Sequence, residues 1–399
     1  MALELAEIFR RYGRAYRQKY AAGLLPSHRQ TMLAIERCRT EVLGGQVYSC
    51  PTCGEVAYSY HSCRNRHCPK CQHEQAQEWL ALQQELLLPA PYFLLTFTLP
   101  AELRTLTSRN QKLLYGTLFR ASAEATQQLA GDPRFIGGQV GLVGVLHTWT
   151  RNLAYHPHVH YLVPGGGLSA DQQPLRPGSE PAPSASSGQA LSLPKGQVWR
   201  PARNNFFLPV RALSRLFRAR FQHHLRQTSL FAQIPAEVWH RDWVVHCKPV
   251  GNGQTALKYL APYVYRVAIS NRRLIKLIDT GSMETSRITF QYRASDTGQL
   301  KLCTLSAEKF IHRFLQHVLP RGFVKVRYFG FLGAGVRPRL LSLRQHLEQN
   351  PPIENARPRS NADSDEMPSV VSQSIFSCPK CRQPMVYQRT LTPTACRSP

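Results

Sequence analysis

Hydrophobic residues follow different periods along the chain of 399 residues, and each period predicts a kind of element. A basic amphipathic helix is predicted at the N-terminus, where apolar positions recur at helical spacing: Leu5, Phe9, Tyr12, Tyr16 and Tyr20. Similar spacing predicts helices over 27–43, 74–87, 103–130, 210–227 and 306–319. Short apolar runs predict strands over 92–99, 141–150, 156–163, 243–247, 286–293 and 301–304.

The strands over 141–150 and 156–163 are joined by so few residues that an antiparallel pair is the simplest arrangement. Two stretches lack a hydrophobic period. Residues 169–203 are rich in Pro, Ser, Gly and Gln, which favours a flexible insertion, and the polar, Pro-rich residues 349–374 favour a linker.

The strand over 156–163 carries the first candidate site. Side chains alternate between the faces of a strand, so His156, His158 and His160 point the same way while Val159 turns into the core. Neighbouring neutral imidazoles form a site for a divalent cation, with positions left open for a ligand such as a phosphate oxygen. The alternative is a solvent-facing strand whose histidines bind no metal.

Cysteines supply the second candidate site. Cys50 and Cys53 form one C-x-x-C pair, and Cys68 and Cys71 form another. Two such pairs close a tetrahedral four-sulfur zinc site of the ribbon type, which has no open position and is therefore structural.

Other cysteines leave alternatives open. A second, incomplete zinc site is possible from Cys38, Cys63 and His67. In the tail, Cys378 and Cys381 supply only two ligands, so a zinc site there needs Cys396 or another chain, and unliganded thiols are the competing interpretation.

Two tyrosines form the third candidate site. On a helix, Tyr259 and Tyr263 are four residues apart and lie on one face, where they can present two hydroxyls to one site. Taken alone, aromatic residues at this spacing are more typical of core packing. Pro262 favours a kink or an early end of the helix at this point.

Charge indicates the kind of partner. The chain has 50 Lys plus Arg against 24 Asp plus Glu, a formal net charge of +26, and its pI is about 10.1. This surplus favours a polyanion as partner, with nucleic acid as the first expectation, and no acylation signal or amphipathic lipid anchor points to a membrane.

No secretory signal is visible, and the apolar run 86–101 is too short and too interrupted by prolines to span a bilayer, so a cytoplasmic, nucleoid-associated protein is expected. Eleven cysteines in such a compartment favour metal ligands over disulfides.

Five stretches, in this order, resemble the rolling-circle transposases of the family named after insertion sequence 91: SCRNRHCPKCQ, LHTWTRNLAYHPHVHYLVPGGG, DWVVHCKP, LKYLAPYVYRVAISNRRL and KFIHRFLQHVLPRGF. The resemblance extends over nearly the whole chain from His28 to Leu332. Several long motifs in the family's order are far more specific than any one of them.

The resemblance implies an α+β protein with three parts. A helical and zinc-binding DNA-recognition domain is expected over 1–88, and a ferredoxin-like nuclease palm of the HUH superfamily, an antiparallel sheet with flanking helices, is expected over 89–335 with the flexible insertion 169–203. Residues 336–399 would form a linker and the C-x-x-C tail.

The resemblance also assigns roles. It implies a transposase that cleaves and rejoins single-stranded DNA at element ends and target through 5'-phosphotyrosine, with Tyr259 and Tyr263 as nucleophiles and His158 and His160 as ligands of Mg²⁺ or Mn²⁺. A third ligand is possible from His156, with His147 and Gln254 as the other candidates. Zn²⁺ would be structural. Phosphate contacts are expected from Arg266, Arg272 and Arg273.

Two alternatives compete with this interpretation. A replication initiator or relaxase of the same superfamily would share the histidines and tyrosines, although the chain has no phosphate loop of the helicase kind. A non-catalytic zinc-ribbon DNA-binding protein descended from a transposase would bind the same DNA without metal-dependent cleavage.

Overall fold

The computed structural model describes residues 3–71, 79–170, 197–203, 205–255, 257, 264, 268–294, 297–333, 335, 338–349 and 376–394. The helices include α1 (Leu5–Lys19), α2 (Pro26–Arg37), α3 (Arg104–Arg109), α4 (Gln111–Ala130), α5 (Val210–Arg226), α6 (Ala307–Leu315) and α7 (Pro338–Gln349). The strands are β1 (Gly45–Ser49), β2 (Val56–Tyr60), β3 (Pro91–Thr98), β4 (Gln139–Val140), β5 (Leu142–Trp149), β6 (Tyr155–Pro164), β7 (Gly166–Ala170), β8 (Gln197–Pro201), β9 (Val245–Asn252), β10 (Leu274–Ile278), β11 (Arg287–Arg293), β12 (Leu300–Ser306), β13 (Val326–Phe329) and β14 (Val386–Leu391).

The chain forms two compact units. The cysteine unit lies within residues 1–74, 267–318 and 358–399, and the histidine unit lies within 75–266 and 319–357. This division differs from the one expected from the sequence, with boundaries at 88 and 335. The difference arises because β10–β12, α6 and β14 pack with N-terminal elements, and such long-range pairing leaves no mark on local composition.

A five-stranded sheet organises the histidine unit. Its strand order is β13-β5-β6-β3-β9, and every neighbouring pair is antiparallel. Four of these strands and two helices follow one another in the chain as β3, α4, β5, β6, α5 and β9. The central part of the unit is therefore a β-α-β-β-α-β arrangement.

One face of this sheet packs against α4 and α5. Because side chains alternate along a strand, the face takes the odd-numbered residues of β3 and β6, including the fully buried Phe97 and Tyr161. The Phe97 ring meets Tyr161 edge to face at a centroid distance of 5.8 Å, and it meets Phe217 of α5 at 5.1 Å. These rings form the centre of the main core.

The opposite face, here called the histidine face, carries the even-numbered residues of β6. A second apolar cluster lies on it, in which Val145 of β5 and Leu162 of β6 pack with leucines of α7. Leu257 and Val264 belong to the same cluster. The histidine face is therefore covered partly by residues that follow β9 and partly by α7.

The cysteine unit contains α1 and α6, which meet through the rings of Phe9 and Phe314 at a centroid distance of 5.4 Å. The residues of the predicted aromatic stripe that lie in α1 are buried, whereas Tyr20, just after the helix, is exposed. The basic side of α1 makes ion pairs: Arg11 with Asp279 at 2.8 Å and Lys19 with Glu308 at 2.6 Å. The unit also contains two three-stranded antiparallel sheets, β10-β11-β12 and β14-β1-β2.

The predicted mixture of helices and antiparallel strands is confirmed, with local differences. The helix expected over 27–43 ends at Arg37, because Cys38 adopts an extended backbone (φ −61°, ψ 123°). The helix expected over 103–130 is two helices, because Asn110 adopts a non-helical backbone (φ −125°, ψ 42°) between α3 and α4. The insertion expected over 169–203 lies largely outside the described residues, but its ends form β7 and β8, which pair with each other.

Candidate metal centres

Three histidines converge on the histidine face. His147 of β5 lies directly opposite His158 of β6, and His160 follows two residues along β6. One nitrogen from each ring lies within 4.8 Å of the other two, and Nδ1 of His147 is 3.1 Å from Nε2 of His158. All three side chains are buried.

Hydrogen bonds orient two of the rings. Nδ1 of His158 lies 2.6 Å from the backbone oxygen of His156, so it donates a proton there and leaves the lone pair on Nε2. Nδ1 of His160 lies 3.0 Å from the hydroxyl oxygen of Thr96 on β3. Such bonds fix the tautomer and the orientation of metal-ligating histidines in general.

Burial keeps these rings neutral. The pKa of His158 falls to about 3 because burial disfavours the charged ring and His160 lies nearby. The pKa of His160 falls to about 4 because of burial and the positive charge of Lys248. A neutral imidazole is the form that binds metal, so the neutral rings of His158 and His160, converging with His147, fit a divalent cation with open coordination positions.

His156, a possible third ligand from the sequence, does not join this group, and the structure corrects that choice. The pairing of β5 and β6 shifts register between His147 and Trp149, and such a bulge re-aims side chains. Nδ1 of His156 lies 3.0 Å from the guanidinium of Arg104. His147 takes the third place, and the other candidate, Gln254, is exposed.

Tyr259, Tyr263 and Arg266 lie outside the described residues. Two residues that bracket the tyrosines are described: Leu257 and Val264 are 2% and 6% exposed. Both pack in the apolar cluster of the histidine face. The segment that carries the tyrosines therefore begins and ends on the face where the histidines converge.

Arg272 and Arg273 lie in the cysteine unit, just before β10. The guanidinium of Arg273 donates to the backbone oxygen of Gln291 at 2.9 Å and lies 5.7 Å from the ring centroid of Phe290. These contacts give Arg273 a role in holding β10 against β11. Contact of Arg272 and Arg273 with phosphates stays a prediction.

The cysteines form two groups of four, which correct the expected ribbon of Cys50, Cys53, Cys68 and Cys71. The first group is Cys38, Cys63, Cys68 and Cys71, and the second is Cys50, Cys53, Cys378 and Cys381. The backbone N–H of His67 donates to the side chain of Asn65, and its imidazole is in neither group.

The β1–β2 hairpin explains this division. Gly45 pairs with Tyr60 at its base, and Ser49 pairs with Val56 at its tip. Five residues per strand separate tip from base by roughly 15 Å, since a strand rises about 3.3 Å per residue. Cys38 precedes the hairpin and Cys63, Cys68 and Cys71 follow it, so these four meet at its base. Cys50 and Cys53 lie at the tip, too far away to bind the same ion.

Distances between sulfur atoms in the first group suit a bound metal ion. The Sγ atom of Cys71 lies 3.5 Å from that of Cys38 and 3.7 Å from that of Cys63. Sulfurs around tetrahedral zinc are about 3.8 Å apart, given bonds of about 2.3 Å. Hydrogen bonds from the Cys63 and Cys68 thiols lower the pKa of Cys38, which favours a thiolate in this group.

The pairing of Cys50 and Cys53 with the tail was missed from the sequence. Its signal was the second C-P-K-C motif, over 378–381, which repeats the motif over 68–71. Each C-x-x-C pair supplies two of the four ligands that a zinc ion needs, so pairs are expected to combine. The sequence alone does not show which pairs do so.

Comparisons with known proteins show the class. The family model described as "Transposase zinc-binding domain" matches residues 8–99, a range that contains the whole first cysteine group. The family model described as "Putative transposase" matches residues 141–178 and 190–339, and the first of these ranges contains all three converging histidines. Together the two matches indicate the class of transposases that carry a zinc-binding domain.

The relatives define the family more closely. The chain is 37% identical over 401 residues to "Putative transposase y4qJ" of Sinorhizobium fredii (strain NBRC 101917 / NGR234), with 95% of this chain and 93% of that protein covered. It is 30% identical over 316 residues to "Transposase for insertion sequence element IS801" of Pseudomonas savastanoi pv. phaseolicola, with 78% and 71% covered. The chain belongs to the family of transposases named after insertion sequence 91, as its motifs predicted.

No solved structure matches the chain. Among the residues described, no helix has the length and apolar character needed to cross a membrane.

Proposed function

We propose that this transposase cleaves and rejoins single-stranded DNA at the ends of an insertion sequence, through 5'-phosphotyrosine linkages in a rolling-circle reaction. One observation carries the proposal. Three imidazoles converge on the histidine face, and Leu257 and Val264, which bracket Tyr259 and Tyr263 in the sequence, pack on that same face. The three histidines and the described residues that bracket the two candidate nucleophiles in the sequence thus lie on one side of one sheet.

The topology supports a nuclease palm of the HUH superfamily. The β-α-β-β-α-β order of the histidine unit, with β3 and β6 at the centre of an antiparallel sheet, is that of a ferredoxin-like fold. Histidines on a central strand are held by ladder hydrogen bonds on both sides. The palm would therefore fix the ligands rigidly before DNA binds.

His147, His158 and His160 would hold the catalytic cation. When bound, a divalent cation neutralises charge on the non-bridging oxygens of the scissile phosphate. Mn²⁺ suits three imidazoles better than Mg²⁺, which prefers oxygen ligands. Burial keeps the rings of His158 and His160 unprotonated at neutral pH, so a cation can bind to these two ligands without displacing a proton.

Tyr259 or Tyr263 would then act as nucleophile. The phenolic oxygen bonds to phosphorus and loses its proton, while the bond from phosphorus to the 3'-oxygen breaks and that oxygen takes up a proton. The products are a 5'-phosphotyrosine and a free 3'-hydroxyl. Since the phosphodiester energy stays in the covalent linkage, rejoining needs no ATP, and two tyrosines allow two linkages within one reaction.

The cysteine unit would bind the DNA ends. The first cysteine group offers four sulfurs for the zinc ion of the zinc-binding domain. The net charge of +26 supplies attraction to the phosphate backbone. Arg266, Arg272 and Arg273, which follow the two tyrosines in the sequence, are the proposed phosphate contacts.

A denaturing-gel assay tests this function. The full chain is mixed with single-stranded DNA spanning the element's ends, with Mn²⁺ or Mg²⁺ and with EDTA. We expect a metal-dependent covalent adduct that His158→Ala abolishes, that survives either Tyr259→Phe or Tyr263→Phe, and that disappears only when both tyrosines are replaced.

The control variant is Tyr58→Phe, which removes a tyrosine hydroxyl from the exposed side of β2 and should leave the adduct unchanged. An adduct that persists in the double variant would rule out the two-tyrosine mechanism. Tight binding to the same DNA with no adduct under any condition would favour the non-catalytic DNA-binding alternative.

A further inference from the structure

The C-terminal residues 376–394 return to the hairpin of β1 and β2. Strand β14 pairs antiparallel with β1, on the edge that β2 leaves open. A two-stranded hairpin is marginally stable by itself, whereas a third strand stabilises it. The C-terminal strand therefore completes the sheet at whose tip Cys50 and Cys53 lie.

The two C-x-x-C turns of the second cysteine group have the same backbone structure. In each, the N–H of the first cysteine donates at 2.8 Å to the carbonyl oxygen of the residue five positions later, Glu55 or Gln383. In each, the residue after the second cysteine donates at 2.9 Å to the carbonyl oxygen of the first. The two turns thus present their sulfurs in the same way.

The residues that close these turns have positive φ, 73° for Gly54 and 62° for Arg382. Glycine adopts this conformation freely, whereas an arginine is strained in it because its Cβ approaches the backbone too closely. A turn that holds Arg382 there needs stabilisation from its surroundings. A metal bound to both cysteines of the turn would supply it.

Four sulfurs meet between the turns. Sγ of Cys50 lies 3.4 Å from Sγ of Cys381, and Sγ of Cys53 lies 3.5 Å from Sγ of Cys378. These contacts cross from one turn to the other, as required when each turn supplies one edge of a tetrahedron. Met385 packs beside them and is itself buried. Uncharged thiols gain little from such convergence, whereas thiolates around zinc require it.

We propose that Cys50, Cys53, Cys378 and Cys381 bind a second structural zinc ion, which fastens the C-terminal strand to the N-terminal hairpin. Two of its ligands are 331 residues apart. The matched zinc-binding domain, residues 8–99, contains Cys50 and Cys53 but not the cysteines of the tail. With four protein ligands the site has no open position, so it stabilises structure and does not take part in the reaction.

Zinc counting by native mass spectrometry tests this site, in reducing buffer and on the full chain. Every sample carries His158→Ala, so that the histidine face contributes no ion. We expect two zinc ions per chain in this parent and one in Cys378→Ser/Cys381→Ser. Cys50→Ser/Cys53→Ser should also retain one, and so should the variant with all four cysteines replaced, because neither pair binds without the other.

Cys247→Ser and Cys303→Ser are the controls, since these cysteines belong to neither group of four, and both should retain two ions. Substitution with Co²⁺ gives an independent reading: thiolate-to-metal charge-transfer absorption should fall by about half in Cys378→Ser/Cys381→Ser. One ion in the parent, two ions in Cys378→Ser/Cys381→Ser, or loss of both ions from that variant would each overturn the proposal.

Discussion

At the scale of single residues, the candidate cation site is defined by the three imidazole rings that lie together on the histidine face. His158 and His160 follow directly from strand alternation, as the sequence predicted. His147 comes from the neighbouring strand, and its place opposite His158 is set by strand register. Register is a property of the pair of strands, so from the sequence His147 was only one of several candidates.

His147→Ala should lower the affinity for Mn²⁺ by more than about 100-fold, since the loss of even an outer-shell partner of a ligand typically costs 10- to 100-fold. His156→Ala should keep the affinity within a few-fold, because the contact from His158 goes to the backbone oxygen, which alanine retains. Titration calorimetry on the zinc-loaded chain measures both. Equal effects of the two substitutions would contradict the assignment of His147.

His28 should make the cysteine unit sensitive to acid. Its pKa is lowered to about 4 by burial and by the charge of His312. Because the pKa of His28 is lower in the folded chain than its unfolded value of about 6.5, the fold keeps its full stability above about pH 6.5. As pH falls towards 4, protonation favours the unfolded chain, and the free energy of unfolding decreases by at most about 3 kcal/mol. Urea denaturation at about pH 7 and about pH 4.5 should show a smaller difference for His28→Gln than for the unsubstituted chain.

The exposed His61 provides the control for this comparison. His61→Gln should retain the full acid sensitivity, because acid release of zinc acts equally on it and on the unsubstituted chain. If His28→Gln and His61→Gln behave alike, burial of His28 does not set the pH dependence.

At the scale of elements, packing distinguishes glycines that the sequence cannot separate. A Cβ at Gly144 of β5 would lie 2.5 Å from the ring of Tyr161 and 3.0 Å from that of Phe119. No described atom lies within 4 Å of a Cβ at Gly116 of α4. The first glycine permits close approach of a ring in the main core, and the second only weakens its helix.

Gly144→Ala should therefore destabilise the histidine unit by about 1–3 kcal/mol, the usual effect of overpacking a core. Gly116→Ala should stabilise it by about 0.5–1 kcal/mol, because alanine favours the helix. Thermal unfolding followed by calorimetry gives both values. Opposite signs are the expected result, and a stabilising effect at Gly144 would show that the Tyr161 ring moves aside easily.

The elements themselves were largely predictable, because hydrophobic period reports burial of one side of a helix or strand. The aromatic stripe of α1 and the strand β6 are examples. Each C-x-x-C pair was predictable as a local zinc-binding turn. Which other cysteines bind the same ion was not predictable. That choice depends on the β1–β2 hairpin and on pairing of β1 with β14, contacts between residues far apart in the chain.

At the scale of the whole molecule, metal dependence should differ between the two units. Both four-cysteine groups lie in the cysteine unit, whereas the histidine unit has a large apolar core built on α4, α5 and the five-stranded sheet. Removal of zinc takes away a major stabilising term from small sheets, but it leaves that core unchanged.

A strong zinc chelator should therefore raise amide hydrogen exchange throughout β1, β2 and β14 by orders of magnitude, while the amides of β3 and β6 keep their protection. Exchange measured by mass spectrometry before and after chelation, with zinc added back as the control, gives the result. Uniform loss of protection in both units would show that they do not unfold separately.

Interleaving of the two units has a consequence for synthesis on the ribosome. Cys53 is made 325 residues before Cys378, an interval of roughly 15–65 s at translation rates of about 5–20 residues per second. Throughout that interval the nascent chain carries the thiols of Cys50 and Cys53 without the partners that bury them. A nascent chain released early would keep this pair exposed to oxidants and to competing metals, so only completed translation yields the closed form.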